Sequence, residues 1–181
     1  MPQLQRYADT TFPADLRWQA VAFMRIVWPW IDGGLIATPY PADWLPHHFA
    51  IVEGRLLLSY AATIRRTIRH AGVEYRVAGL GNVLTYPGSR RQGHGGRVVQ
   101  AATEAIDASD ADIGLLFCAR TLLPFYARCG WVPVVPETRG PPVATDASAA
   151  HAMALLRSLS ARGHMGREDF ATVPLDIAEQ W

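Results

Sequence analysis

Apolar residues return at helical spacing early in the chain and in strand-like runs through its middle. Leu16, Ala20, Phe23 and Val27 fall on one helical face, which predicts a helix over residues 13–27. Pro13 suits its first turn. Trp28-Pro29-Trp30 closes it, because proline restricts the residue before it. Residues 31–45, rich in Gly, Pro and aromatics, read as a loop that could wall a substrate site. Three strand-like runs follow: HHFAIVE, RLLLSYAATIRRTI and VEYRVAGLGNVLTY. Gly54 and the His70-Ala71-Gly72 turn separate them, so an antiparallel meander is expected. Gly79 and Gly81 flank Leu80 in the third run. Glycine inside a strand marks a bulge, a close ligand approach, or simply room for a bulky neighbour. A helical pattern then runs to about Ile106, followed by a polar turn over 107–112 and a buried strand over 112–118. A short helix is expected over 121–129, a strand over 131–135 and a Pro/Gly-rich loop over 136–148. Residues 151–159 fit helix or strand. The first twelve residues read as a short polar segment, and residues 160–181 as mostly irregular.

At 181 residues, half of them hydrophobic, the chain is long enough for one domain, 1–181, with a real core. Its formal net charge of +1 gives no whole-molecule argument for nucleic acid or an anionic membrane as partner. Arginines do cluster locally, at Arg65, Arg66, Arg69, Arg90, Arg91 and Arg97. Such a patch suits RNA or a phosphate-rich small molecule. The two cysteines, Cys118 and Cys129, fit no metal-ligand spacing, so no metal is expected. No leader pattern opens the sequence and no apolar run nears membrane-spanning length. The expectation is a reducing cytoplasm.

The stretch SRRQGHGGRVV changes the picture. It places a glycine-rich turn after a strand and at the start of a helix. Backbone N–H groups crowd together in such a turn, and the helix N-terminus adds partial positive charge, so a pyrophosphate cradle results. The spacing is Arg90-x-x-Gly93-x-Gly95, which differs from both the Walker and the dinucleotide patterns. It resembles the acyl-CoA loop of the GCN5-related N-acetyltransferases. Downstream, Phe125-Tyr126 and Gly130-Trp131 sit where that family carries a tyrosine on a short helix and then a glycine and an aromatic. The resemblance implies an α/β (α+β) fold: a mixed, mostly antiparallel sheet, a splayed acyl-CoA site and flanking helices. It also favours a strand over 151–159.

Acetyl-CoA is the co-substrate that the resemblance implies. Backbone amides of Gln92, Gly93, His94, Gly95 and Gly96 would hold its pyrophosphate, with Arg90 and Arg91 nearby. The pantetheine arm would pair with Val83, Leu84 and Thr85 like an added strand. The Leu84 amide would stabilise the oxyanion, and Tyr126 would act as general acid. Read without the family, Tyr126 is a half-buried helix tyrosine.

The order of elements and the FYARCGW stretch most resemble the aminoglycoside 2′-N-acetyltransferases. That resemblance implies a small aminosugar acceptor, of the kasugamycin type given the near-neutral charge, and places Trp181 at the substrate through its carboxylate. Packing is the simpler role for that tryptophan. The group's strand glutamate is replaced here by Gly81, followed by Asn82, which can orient an amine but cannot take a proton. Carboxylates available instead are Asp32, Asp146, Glu168 and the Trp181 terminus. A polyamine or protein N-acetyltransferase, a longer-chain acyltransferase and a non-catalytic acyl-CoA-binding domain remain alternatives. A homodimer stays open.

Overall fold

The computed structural model describes residues 1–29, 37–134, 152–176 and 181. Its strands form one seven-stranded mixed sheet in the order β1-β2-β3-β4-β5-β7-β6. They are β1 Gln3–Ala8, β2 His47–Glu53, β3 Leu56–His70, β4 Val73–Thr85, β5 Ile113–Ala119, β6 Val132–Pro133 and β7 Ala152–Ser158. The helices are α1 Ala14–Val27, α2 His94–Asp107, α3 Leu123–Ala127, α4 Ala161–Met165 and α5 Arg167–Thr172. The chain divides into two compact units, residues 1–64 with 81–103, and residues 65–80 with 104–181.

In the first unit β1, β2 and β3 form an antiparallel ladder. Helix α1 begins one residue later than expected, because Pro13 is its N-cap. Its buried stripe is Leu16, Ala20, Val21 and Met24, so the inward face is turned from the expected one. Val27 is exposed, and Phe23 instead stacks on Tyr86. The Gln19 side chain fixes the helix to the β2–β3 turn. It donates to the Arg55 carbonyl at 2.9 Å and accepts from the Leu57 amide at 2.9 Å.

Strand β1 is an element that the sequence reading left out. Its QLQRYA pattern is polar because it lies at the sheet edge, with every residue at least partly exposed. Next to it lies a buried polar network. His48 is fully buried, with Nδ1 2.7 Å from the Tyr60 hydroxyl and Nε2 3.1 Å from Asp9 Oδ1. Arg17 donates to the same Asp9 oxygen at 2.9 Å.

In the second unit β3 and β4 are joined through Ala71 and Gly72, both at positive φ, as a two-residue hairpin requires. Strand β5 pairs in parallel with β4 from Val77↔Ile113 to Leu80↔Leu116, and antiparallel with β7. Strand is thus the outcome for residues 152–158. The core gathers Tyr75, Val77, Ile113, Leu115, Leu156 and Phe170, among others.

The tail is more ordered than expected. Helices α4 and α5 occupy part of it, and Ser160 caps α4 by accepting from the Gly163 amide at 3.2 Å. The cap is itself held, because the Ser160 hydroxyl donates to Asp112 Oδ1 at 2.8 Å. A Cβ on Gly163 would lie 2.1 Å from the Asp112 carbonyl oxygen, so only glycine lets α4 approach β5 this closely. Gly163→Ala should lower stability by about 1–3 kcal/mol, the usual range for overpacking. For a chain of this size that is a melting-point drop of roughly 2–4 °C per kcal/mol. An unchanged melting temperature would mean that α4 can shift at no cost.

Candidate functional site

The glycine loop lies wholly in the first unit. Strand β4 delivers it, and one strand residue is irregular: Asn82 sits at φ +50°. The ladder with β5 is regular through Gly79↔Leu115 and ends at Leu80↔Leu116. The irregularity therefore falls at Asn82, not at the two glycines. Asparagine tolerates this left-handed conformation better than most residues. The Asn82 side-chain amide donates to the Pro39 carbonyl at 3.0 Å, which holds the kink in place. Its Oδ1 and the second amide N–H have no partner in that bond.

Beyond the kink a buried residue fixes the strand end. The Ser59 hydroxyl lies 2.8 Å from the Leu84 carbonyl, to which it donates, and 2.9 Å from Thr85 Oγ1. The sequence reading missed Ser59. Its signal was a lone hydroxyl in the apolar run LLLSYAA, where a buried polar group needs a partner.

The loop then rises on a short turn. Tyr86 donates its amide to the Leu58 carbonyl at 2.9 Å, and Arg90 Nε donates to the Thr85 carbonyl at 3.3 Å. Arg91 at φ +64° and Gly93 at φ +82° are both left-handed. At Arg91 that conformation costs about 1–2 kcal/mol, strain of the kind found at ligand clamps. Helix α2 starts at His94, so the amides after Gly93 are the first-turn N–H groups that a helix leaves unpaired. Arg90, Arg91, Gln92 and Arg97 are exposed, whereas Val98 and Val99 seat the helix in the core. A Cβ built on Gly93 or Gly96 meets nothing within 4 Å, so neither glycine is hemmed in on its side-chain side. Concave amides, a helix N-terminus and two exposed arginines suit a diphosphate.

The second unit holds Tyr126, on α3. It is 5% exposed. Its carbonyl accepts from the Cys129 amide at 2.9 Å, and its ring meets Phe125 edge-on. Burial, with smaller contributions from Cys118 and Cys129, raises its hydroxyl pKa well above the ordinary tyrosine value. Burial likewise pushes the Cys118 thiol up to about 11. Both groups stay protonated at neutral pH.

Trp181 packs edge-to-face on Phe117 with ring centroids 5.1 Å apart and joins the core cluster, in line with the packing role. Glu168 is exposed on α5. Asp32 and Asp146 lie outside the described residues. Among the described residues no group of His, Cys, Asp and Glu could hold a metal, and no helix is long and apolar enough to cross a membrane.

Residues 47–134, from β2 through β6, match the family model of the acetyltransferase (GNAT) domain. This stretch is a GNAT acetyltransferase domain. The GNAT fold extends over most of the chain. An acyl-CoA N-acyltransferase from Pseudomonas aeruginosa aligns at 17% identity over 87% of this chain and 100% of its own, with a TM-score of 0.60. Escherichia coli ElaA aligns at 15% identity over the same shares, with a TM-score of 0.62. Likeness at such identities is one of fold. A search of curated protein sequences found no match.

Proposed function

We propose that this GNAT domain transfers an acetyl group from acetyl-CoA to the amino group of a small aminosugar. The observation that carries the acyl-CoA part is the loop from Arg90 to Gly96, with left-handed residues at Arg91 and Gly93 opening helix α2. Acetyl-CoA supplies an activated acyl group as its thioester. In this reading the amides of Gln92 to Gly96 bind the diphosphate, and Arg90 and Arg91 add charge. The backbone of Val83 to Thr85 pairs with the pantetheine amides. The Leu84 amide donates to the oxygen that gains charge as the amine attacks. Tyr126 donates to the departing sulfur.

The acceptor rests on charge and on the aminoglycoside-type resemblance. A chain with net charge +1 has no overall acidity to draw in a polycation, so a small amine with few charges fits better. Gly81 supplies no side chain, so in this reading the amine binds already neutral, and turnover rises with pH through the amine's own pKa.

Thiol release from acetyl-CoA, measured against aminosugars, polyamines and peptides, tests the acceptor. Faster turnover with polyamines or peptides than with every aminosugar would overturn it. CoA titration into Gly96→Val tests the cradle. The new side chain has room to fit, so the protein should fold, and it should block backbone approach to the diphosphate. Parent-like affinity would place the ligand elsewhere.

A further inference from the structure

His94 stands between the two glycines of the loop and opens helix α2. It is 6% exposed, and both Nδ1 and Nε2 are shut off from solvent without a hydrogen-bond partner among the described residues. The contrast with His48 is direct, because there a buried imidazole has both nitrogens in contact with Tyr60 and Asp9. In His70, also buried, Nε2 but not Nδ1 is both shut off from solvent and without a partner among the described residues. A buried polar atom without a partner costs about 1–3 kcal/mol, so two on one ring call for a purpose.

Direction supplies one. Helical side chains tilt toward the N-terminus and lie over the preceding turn. For the first residue of α2 that turn is the glycine loop, where the unpaired amides gather. Val98, one helical turn on along the same face, is fully buried, which sets this face of α2 toward the core. That tilt directs the buried imidazole toward the loop, whose Arg90 and Arg91 are exposed.

We infer that the His94 side chain is a binding group of the cradle, donating a ring N–H to the diphosphate-bearing arm of acyl-CoA. This rests on the acyl-CoA reading above and adds a side-chain donor to a site otherwise built from backbone. A neutral imidazole has one donor and one acceptor nitrogen, so the second can accept from an amide of the ligand or the loop.

CoA binding by calorimetry, with ligand-free melting temperature alongside, tests it. His94→Leu keeps comparable bulk and removes both nitrogens. It should weaken CoA binding about tenfold or more, the effect of losing a hydrogen bond to a charged group. Its ligand-free melting temperature should match or exceed the parent's, because two unsatisfied atoms are gone. His94→Gln, which keeps an amide donor, should recover part of the affinity. If the leucine variant does not fold, His94→Met and His94→Gln make the same comparison of donor removed with donor kept. Leucine binding within twofold of the parent, or equal losses for apolar and amide variants, would make His94 a packing residue and overturn the inference. No CoA binding by the parent would instead overturn the acyl-CoA reading itself, and this inference with it.

Discussion

Tyr126→Phe should lower turnover by about 10²–10³-fold and leave CoA affinity unchanged. The substitution removes one hydroxyl from a side chain that is 5% exposed, and the ring keeps its contact with Phe125. The size of the effect follows from the state of the phenol. Burial keeps its pKa far above that of a thiol, so transferring the proton completely to a thiolate is uphill in the resting protein. What the hydroxyl can supply at once is a hydrogen bond to sulfur as charge develops. That is a donor effect of oxyanion-hole size, and full proton transfer would follow only if ligand binding lowers the phenol pKa. Rapid-quench measurement of the first turnover isolates the chemical step. A rate within twofold of the parent's in that step would assign Tyr126 to packing. A raised pKa also predicts no loss of rate from Tyr126 ionisation up to about pH 10. A descending limb below that pH belongs to another group.

The elements that were legible in the sequence are those with strong local periodicity. The helical period of α1, though not its inward face, the three long strands and the glycine loop announce themselves within windows of a dozen residues. The loop was legible for a further reason. Glycine spacing marks where the backbone turns sharply, and Gly93 takes a left-handed φ of +82° there, which glycine adopts without a Cβ clash. Other features depend on partners distant in sequence. Ser59 matters because it reaches Leu84, 25 positions away. Asn82 reads in the sequence as a residue that can orient a substrate amine, and its φ of +50° and its bond to Pro39, 43 positions away, add a second part as the kink of the strand. Helices α4 and α5 have 5 and 6 residues, too short to show a period. Helix α4 is held by Ser160 and Gly163 against Asp112, 48 positions from Ser160. Strand β1 lacks alternation because the sheet edge does not demand it. The conserved logic of a fold family fills some of these gaps, but it is silent on the buried His48 network, which lies outside its motifs.

That network gives the largest pH effect expected for stability. His48 is fully buried between Phe12, stacked at 4.2 Å, and its two polar partners. Desolvation lowers its pKa to about 4, against the opposing pull of Asp9. The ring is thus neutral in the folded protein at pH 7. Its Nε2–H donates to Asp9, and its Nδ1 accepts from the Tyr60 hydroxyl. Protonation would require Nδ1 to stop accepting, which breaks the Tyr60 contact inside the core. In the unfolded chain the same residue titrates near pH 6.5. Between these two values the unfolded state binds a proton that the folded state does not. The stability contributed by His48 is complete above about pH 6.5 and is lost as the pH falls toward 4. A difference of this size corresponds to about 3 kcal/mol. Asp9, whose pKa is lowered by Arg17 and His48 despite its partial burial, extends the loss into more acid solution. Urea denaturation between pH 7 and pH 4 measures the slope. Replacing His48 with Gln keeps an amide donor and acceptor in the site and removes the titration. The variant should be less stable at pH 7, since its geometry fits Asp9 and Tyr60 less well, but its stability should fall much less between pH 6.5 and 4. Parallel curves for parent and variant across that window would show that another group carries the acid sensitivity.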